Sequence, residues 1–174
     1  MKRYILILLS VAFIMSCEDS STQHTAQLMQ LDNLVRTPGY SWFDIEYNAY
    51  EPNQQMLDEI KNNFDPQIHK FLVFLKPACS CPGTHKLFPA FVKGADLSGI
   101  PDANIEYYSM RSNRDAYHYS DLFTLNELPA FIILKNGQPI YSITDTMLTK
   151  TSIEYELNPN FPVELFIEDA LKNY

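Results

Sequence analysis

Residues 71–90, FLVFLKPACSCPGTHKLFPA, place an apolar run directly before two closely spaced cysteines. The run from Phe71 to Leu75 predicts a strand buried on both faces, and the residues after Pro82 and Gly83 predict a helix. A helix N-terminus offers unpaired N–H groups and the positive end of a dipole, and both favour a thiolate over a thiol. This stretch therefore predicts reactive sulfur at the point where a central strand is followed by a helix.

The first sixteen residues predict a targeting signal rather than part of the fold. A short basic region, Lys2 and Arg3, precedes an almost wholly apolar run that ends at Met15 and is short for a membrane span. The sequence IMSC, whose last residue is Cys17, resembles the cleavage site of bacterial lipoproteins. That resemblance implies that residues 1–16 are removed and that Cys17 carries a lipid anchor in the cell envelope. An ordinary secretory signal is the alternative.

The chain is acidic, with 13 basic and 21 acidic residues and a formal net charge of −8. Loss of residues 1–16 would remove Lys2 and Arg3 and make the remaining chain more acidic still. An acidic domain is a poor candidate for binding nucleic acid or an anionic lipid surface. The remaining length suits one domain with its own hydrophobic core.

The chain has three cysteines, and two of them form a Cys-x-Cys pair. If Cys17 is lipidated, Cys79 and Cys81 remain, and a disulfide between them closes a tiny loop that stabilises a fold little. Exported proteins that use disulfides for structure join distant parts of the chain. The pair therefore indicates chemistry, with Cys79 as the nucleophile because it leads the motif, and Cys81 as its resolving partner. Two small buried residues without turnover are the structural alternative.

The pattern of apolar residues predicts a signal peptide (residues 1–16), a lipidated tether with at most a short helix (17–39) and one α/β domain (40–174). Within the domain we expect, in chain order, strand 41–50, helix 54–64, strand 70–75, helix 84–94 with a kink at Pro89, strand 105–110, a Tyr-rich helix 116–123, a hairpin that turns at Asn136-Gly137, a long connection 144–162 and helix 162–172. This order predicts a mixed sheet with helices on both faces.

Residues 42–174 resemble the thioredoxin family. The sequence KPAC after the apolar strand, Pro89 in the following helix and residues 128–137, LPAFIILKNG, occupy the places of that family's reactive motif, kinking proline and cis-proline hairpin. The resemblance implies a three-layer sandwich in which helices flank a central mixed β-sheet. It also implies a cis bond between Leu128 and Pro129, a form that only about 5–6% of X–Pro bonds in folded proteins adopt.

The resemblance further implies thiol–disulfide exchange on proteins of the cell envelope, with the two neighbouring cysteines as the redox pair. Leu128 and Pro129 would contact the substrate, since the residue before such a proline offers backbone groups to an extended peptide. Thr84 and His85, near the start of the helix, would tune the thiolate. No cofactor is required, and a membrane redox partner that the sequence does not identify would reset the pair.

The sequence departs from the family pattern around the cysteines. Cys79-Ser80-Cys81 has one intervening residue where the family has two, Ala78 replaces a tryptophan, and Val73 replaces a buried acid that serves proton transfer. A disulfide across one residue closes a small strained ring, and strain makes a disulfide easier to reduce. We therefore expect the Cys79–Cys81 redox couple to be less reducing than that of thioredoxin and nearer to that of an oxidant or an isomerase.

Two other functions fit the same residues. In the first, Cys79, Cys81 and His85, which lie within seven residues, bind Cu(I), because thiolates with an imidazole suit this ion, and His118 or His69 is a more distant ligand. In the second, the chain is a catalytically inactive binding module. Its contact surface would then be formed by a group of tyrosines, Tyr107, Tyr108, Tyr117 and Tyr119.

Overall fold

The computed structural model describes residues 24–76, 83–151 and 162–174. The strands are, in chain order, β1 (Gln27–Met29), β2 (His69–Leu75), β3 (Ile105–Ser109), β4 (Ala130–Lys135) and β5 (Gln138–Ser142). The α-helices are α1 (Leu31–Val35), α2 (Phe43–Ala49), α3 (Gln54–Asn63), α4 (Phe88–Ser98), α5 (Ile143–Thr151) and α6 (Val163–Asn173). A π-helix, Gly83–Leu87, precedes α4, and a short 3₁₀ helix, Asp102–Asn104, precedes β3. Within these ranges, no helix is both long and apolar enough to span a membrane.

The strands form one mixed sheet in the order β1-β3-β2-β4-β5. β2 is parallel to β3 and antiparallel to β4, whereas β1 pairs with β3 in the antiparallel direction. Every residue of β2 except Lys70 is buried, as a continuous apolar run predicts for a strand that is covered on both faces. The α/β class and the central strand are therefore confirmed.

A helical crossover joins β2 to its parallel neighbour β3. The sequence predicts a single helix, residues 84–94, with a kink at Pro89. Instead, the π-helix Gly83–Leu87 leads into α4, whose second residue is Pro89. Proline has no N–H to donate to the carbonyl four residues earlier, and its ring crowds that carbonyl. An α-helical hydrogen bond is therefore not available at this point, and the wider π turn lies there instead.

Three other predicted elements are found within about one residue of their expected bounds. The hairpin of β4 and β5 turns at Asn136 and Gly137, whose φ angles of 53° and 77° are both positive, as in the turns that match the twist of a hairpin. Helix α3 begins after Asn53, whose side chain accepts a hydrogen bond from Met56 N–H as a helix cap. Helix α6 closes the chain as expected.

Helix α2 occupies the segment in which the sequence predicts a strand, residues 41–50. Phe43 and Tyr47 pack on the core with their ring centroids 5.9 Å apart, whereas Ile45 is 70% exposed. In a strand these three side chains would share one face. In a helix, residues four apart share a face and the residue midway between them points away. The strand prediction is therefore wrong. Of the three alternating residues, only Phe43 and Tyr47, which are four residues apart, pack on the core.

The described residues before residue 40 belong to the folded domain rather than to a tether. β1 pairs with β3, and Leu34 of α1 is completely buried in the core. The apolar positions that suggested a short helix attach this segment to the sheet, so the predicted domain start at residue 40 is too late. Residues 1–23, which include the predicted signal peptide and Cys17, lie outside the described residues.

The two faces of the sheet are covered differently. One cluster of the core contains a buried residue from each of the six α-helices in the described ranges. The other cluster, on the face that carries Leu72 and Phe74, is covered by a segment without helix whose aromatic residues are Tyr117, Tyr119 and Phe123. Since no α-helix in the described ranges contributes a buried residue to this second cluster, the predicted arrangement with helices on both faces differs from the structure.

Turns replace the Tyr-rich helix that the sequence predicts at residues 116–123. Tyr117 OH donates to Phe123 O at 2.5 Å, and Leu125 N–H donates to Tyr117 OH at 3.2 Å. One side chain thus satisfies a backbone carbonyl and a backbone N–H, and local side-chain hydrogen bonds of this kind compete with a helix. The long connection expected at residues 144–162 also differs, because it begins with α5.

Candidate functional site

The predicted redox pair, Cys79 and Cys81, lies in residues 77–82, outside the described residues. The structure describes the chain on both sides of this segment. β2 ends at Leu75 before it, and the π-helix of the crossover begins at Gly83 after it. The cysteine segment therefore connects the carboxyl end of the central strand to the start of the crossover helix.

Leu128 and Pro129 lie beside this end of β2. In the antiparallel pairing of β4 with β2, Ala130 is opposite Phe74, so Pro129 falls at the level where β2 ends. The Leu128–Pro129 peptide bond is cis, as the resemblance predicts. The register brings the predicted substrate-contacting residues to the edge of the sheet at which the cysteine segment starts.

The carbonyl of Pro129 is held by a side chain to which the sequence analysis assigned no role. Thr144 Oγ1, in the first turn of α5, donates to Pro129 O at 2.8 Å, and both residues are buried. Its neighbour Asp145 accepts a hydrogen bond from Asn126 Nδ2 at 3.2 Å. Two adjacent residues of α5 thus fix the loop before β4. No local pattern could mark Thr144, because its partner is distant in sequence and its helix was predicted as a connection.

Thr84 and His85, predicted to tune the thiolate, lie in the π-helix directly after the cysteine segment. Thr84 is completely buried. The His85 ring packs against Trp42 with the ring centroids 4.6 Å apart, and its Nδ1 lies 3.4 Å from Glu46 Oε1. Lys86 Nζ donates to the other carboxylate oxygen of Glu46. Glu46, on α2, therefore contacts two consecutive residues of the π-helix.

The contacts of Trp42 and Glu46 with His85 were not predicted, because both residues were assigned to a strand. Their spacing of four residues puts them on one side of a helical segment, where they meet His85 and its neighbour. The side chains of Glu46 and His85 are 15% and 29% exposed, so their interaction is screened by water less than that of a fully exposed pair.

A cleft of about 320 Å³ opens at the same edge of the sheet. Its lining comes from the residue after β2, the loop after β3 and the loop before β4, and consists of Lys76, Arg111, Ser112, Asn113, Asn126, Glu127 and Leu128. Ligands of α/β proteins bind outside the carboxyl ends of parallel strands, and β2 and β3 form such a pair. We refer to this cavity below as the edge cleft.

One wall of the edge cleft is fixed by Asp115. Its carboxylate accepts hydrogen bonds from Arg111 N–H at 2.7 Å and from the Ser112 hydroxyl at 2.9 Å. Burial raises the pKa of Asp115, but these hydrogen bonds to the ionised form outweigh burial and leave the pKa below its usual range. The wall is therefore held by a carboxylate that stays charged near neutral pH.

Of the two histidines considered as distant copper ligands, His69 lies at the far end of the central strand from the cysteine segment. His69 begins the seven-residue strand β2 and so lies about 20 Å from its carboxyl end. His69 Nδ1 accepts a hydrogen bond from Asp65 N–H at 3.0 Å. His118 belongs to the segment that covers the second cluster. Among residues 24–76, 83–151 and 162–174, no three His, Cys, Asp or Glu side chains are grouped so as to hold a metal. His85 is the predicted ligand that the structure places next to the cysteine segment.

No family model, curated protein or solved structure matches this chain.

Proposed function

We propose that this protein is a lipid-anchored, thioredoxin-like thiol–disulfide exchange protein of the bacterial cell envelope. The observation that carries the proposal is the register of β4 on β2. It puts Pro129 at the carboxyl end of the central strand, where the segment with Cys79 and Cys81 begins. A nucleophile and a substrate-contacting residue at one edge of a sheet are the minimum that such an exchange requires.

The strand order also supports a thioredoxin-like arrangement. The resemblance implies a central strand that is parallel to one neighbour through a helical crossover and antiparallel to the first strand of a hairpin, with a helix at the end of the chain. The order β1-β3-β2-β4-β5 and its pairings are compatible with this arrangement. The antiparallel β1 and, in the described ranges, the helix-free second face are features of this chain.

In the reducing direction, the Cys79 thiolate attacks one sulfur of a client disulfide, bonds to it and displaces the other client sulfur as a thiolate. Cys81, once deprotonated, attacks the Cys79 sulfur. The Cys79–Cys81 disulfide forms, and the second client thiolate leaves. Two electrons pass from the pair to the client, and a thiol donor of the envelope returns two electrons to the pair. The reverse sequence oxidises a client dithiol.

The proton that Cys81 releases needs an acceptor. Val73, which stands at the place of the family's buried acid, is completely buried in the core and cannot titrate. His85 follows the pair closely in sequence, and its Nδ1 is turned toward Glu46. Its Nε2 is then the nitrogen available to exchange a proton with a thiol of the pair.

Insulin reduction and the oxidation of reduced ribonuclease test this proposal on the full-length protein in detergent. We expect turnover in at least one direction, and no turnover for Cys79→Ser. Cys17→Ser is the matched control, because it replaces the cysteine outside the pair, whose sulfur would carry the lipid. This variant should keep the wild-type rate and lose the lipid detected by mass spectrometry. Wild-type turnover by Cys79→Ser, or no turnover by the wild type in either direction, would contradict the proposal.

Copper(I) binding is a second candidate, favoured by the contact between Glu46 and His85. Metal-ligating histidines commonly direct one ring nitrogen to a carboxylate, which orients the other toward the metal. His85 Nε2 would then join the thiolates of Cys79 and Cys81, a soft ligand set. Native mass spectrometry after Cu(I) loading tests this function: one retained ion that is lost in Cys81→Ser supports it, and no retained ion contradicts it. Absence of both turnover and copper would support the inactive binding module.

A further inference from the structure

Two positive side chains lie at the edge cleft without a carboxylate partner in the part of the chain that the structure describes. Lys76 directly follows β2, and Arg111 lies two residues after β3. Because Leu75 pairs with Ser109 in the parallel register, both cations emerge at one edge of the sheet. Within the described residues, the Lys76 ammonium forms no ion pair or hydrogen bond, and Arg111 Nη1 contacts the imidazole Nε2 of His24 at 2.9 Å.

The walls of the edge cleft are fixed without a ligand. Asn113 Nδ2 donates to Leu125 O at 3.2 Å and to Asn126 O at 2.5 Å, which joins the loop after β3 to the loop before β4. The hydrogen bonds of Asp115 hold the backbone at Arg111. A preformed cleft loses less conformational freedom on binding than one that must be ordered by its ligand.

The backbone of Leu128 is available on the floor of the edge cleft. In the described part of the chain, neither its N–H nor its C=O forms a hydrogen bond, although the carbonyl of the next residue, Pro129, is taken by Thr144. Unpaired backbone groups beside a strand end accept an extended peptide by strand addition. The edge cleft therefore combines a place for a peptide backbone with two cations beside it.

We propose that the edge cleft selects extended client segments that carry an acidic side chain within about three residues of the client cysteine that reacts. An extended peptide rises by about 3.3 Å per residue. The requirement for a client cysteine near the acid rests on the proposed function. The preference for an acid rests on Lys76 and Arg111 alone. A client carboxylate between these two cations gains two favourable charge interactions, and a client lysine at that place is repelled. Glu127, on the same rim, and the Asp115 carboxylate, which holds one wall, both oppose the preference.

Fluorescence anisotropy with labelled peptides tests the inference independently of the thiol chemistry. The peptides are extended, carry serine in place of cysteine, and have Asp, Asn or Lys two residues away. With the full-length protein in detergent at low salt, we expect the Asp peptide to bind about threefold to tenfold more tightly than the Asn peptide, as two partly exposed charge interactions allow. The Lys peptide should bind most weakly, and higher salt should reduce the differences.

Matched variants assign the effect to the edge cleft. Lys76→Gln with Arg111→Gln should abolish the difference between the Asp and Asn peptides, whereas Lys61→Gln, which removes an exposed cation on α3, should leave it unchanged. Lys76→Arg with Arg111→Lys keeps both charges and should restore it. Glu127→Gln should increase it.

Equal affinity of the wild type for the Asp and Asn peptides would overturn the inference. A preference that persists in the double Gln variant would overturn it as well. If the acid preference depends on the two cations while insulin and ribonuclease assays give no turnover, the edge cleft is an acidic-peptide site and only the proposed function fails.

Discussion

The two ends of β2 differ in how their polar groups are used, and the amino end is closed. His69 is 4% exposed, and its carbonyl accepts a hydrogen bond from Asn104 Nδ2 at 2.8 Å. The same amide group donates to Pro66 O at 2.8 Å. Asn136 N–H, from the hairpin turn, donates to Ile68 O at 2.8 Å. Neighbouring side chains and backbone thus pair the backbone carbonyls at which the strand begins, whereas the buried Nε2 of His69 has no hydrogen-bond partner among the described residues.

The carboxyl end of the same strand is open. Lys76 is exposed, and within the described residues its ammonium and the backbone groups of Leu128 are unpaired. Buried polar groups are almost always paired, whereas unpaired groups at a cleft are available to a ligand. One strand can therefore serve stability at one end and recognition at the other. Changes at the amino end should then alter stability, and changes at the carboxyl end should alter exchange or binding.

The largest expected effect is on stability, from Phe71→Ala in the amino half of β2. Phe71 is fully buried and its ring lies 5.8 Å from that of Phe91. Truncation of a buried aromatic side chain lowers the free energy of unfolding by about 3–5 kcal/mol. Lys76→Gln, at the open end, should change it by less than about 0.5 kcal/mol. Urea unfolding followed by circular dichroism measures both, and similar losses for the two variants would remove the contrast between the ends.

A smaller effect on stability, with an effect on exchange, is expected from Thr144→Val. The variant leaves the buried Pro129 carbonyl without its donor, which lowers the free energy of unfolding by about 1–3 kcal/mol. Because the hydroxyl also positions Pro129 beside the cysteine segment, exchange with insulin should slow even under conditions where the variant is fully folded. Thr144→Ser keeps the hydroxyl and is the control. A stability loss with an unchanged exchange rate would mean that this hydrogen bond does not contribute to the site.

The closed end also predicts a pH dependence. Burial, and then the positive charge of Lys135, lowers the pKa of His69, and Asp65 opposes this shift. The unfolded chain, with a histidine pKa of about 6.5, therefore binds more protons than the folded chain, so stability falls as the pH drops below about 6.5. His69→Asn, which keeps an acceptor for Asp65 N–H, should show a weaker fall between pH 7.5 and 5.5 in urea unfolding. An identical pH dependence in wild type and variant would contradict this assignment.

The smallest expected effect comes from the ion pair of Glu46 and Lys86 beside the π-helix. Lys86 is 39% exposed at its side chain, and partly exposed pairs contribute about 0.2–1 kcal/mol. A double-mutant cycle with Glu46→Gln and Lys86→Gln, measured by urea unfolding, should give a coupling energy in this range that decreases at high salt. A coupling energy near zero at low salt would mean that the ion pair does not contribute to the stability of the π-helix.

Much of the fold was predictable because its main elements carry strong local signals. The continuous apolar run of β2, the Asn136-Gly137 turn and the Asn53 cap each specify their structure within a few residues. Helix α2 was not predictable in this way, because Phe43, Ile45 and Tyr47 fit both a strand and a helix. Only packing, which places the first and third of these residues against the core, decides between the two periods.

The candidate site was predictable only where one short segment carries it. The cysteine pair and the Leu128–Pro129 bond are local motifs, and the sequence points to them directly. The edge cleft is different, because Lys76 and Arg111 lie on separate segments that meet through the parallel register of β2 and β3. Glu46 likewise reaches His85 only after α2 has formed. No periodicity or spacing in the sequence indicates such contacts.

Covalent trapping shows whether Cys79, in the segment after β2, exchanges with client disulfides. The full-length Cys81→Ser variant, in which the resolving thiol is absent, is incubated with oxidised insulin and analysed by intact-protein mass spectrometry and peptide mapping. We expect a stable mixed disulfide located at Cys79, and none when Cys79→Ser is added to the variant. No adduct with Cys81→Ser, or an adduct that persists without Cys79, would contradict the proposed exchange.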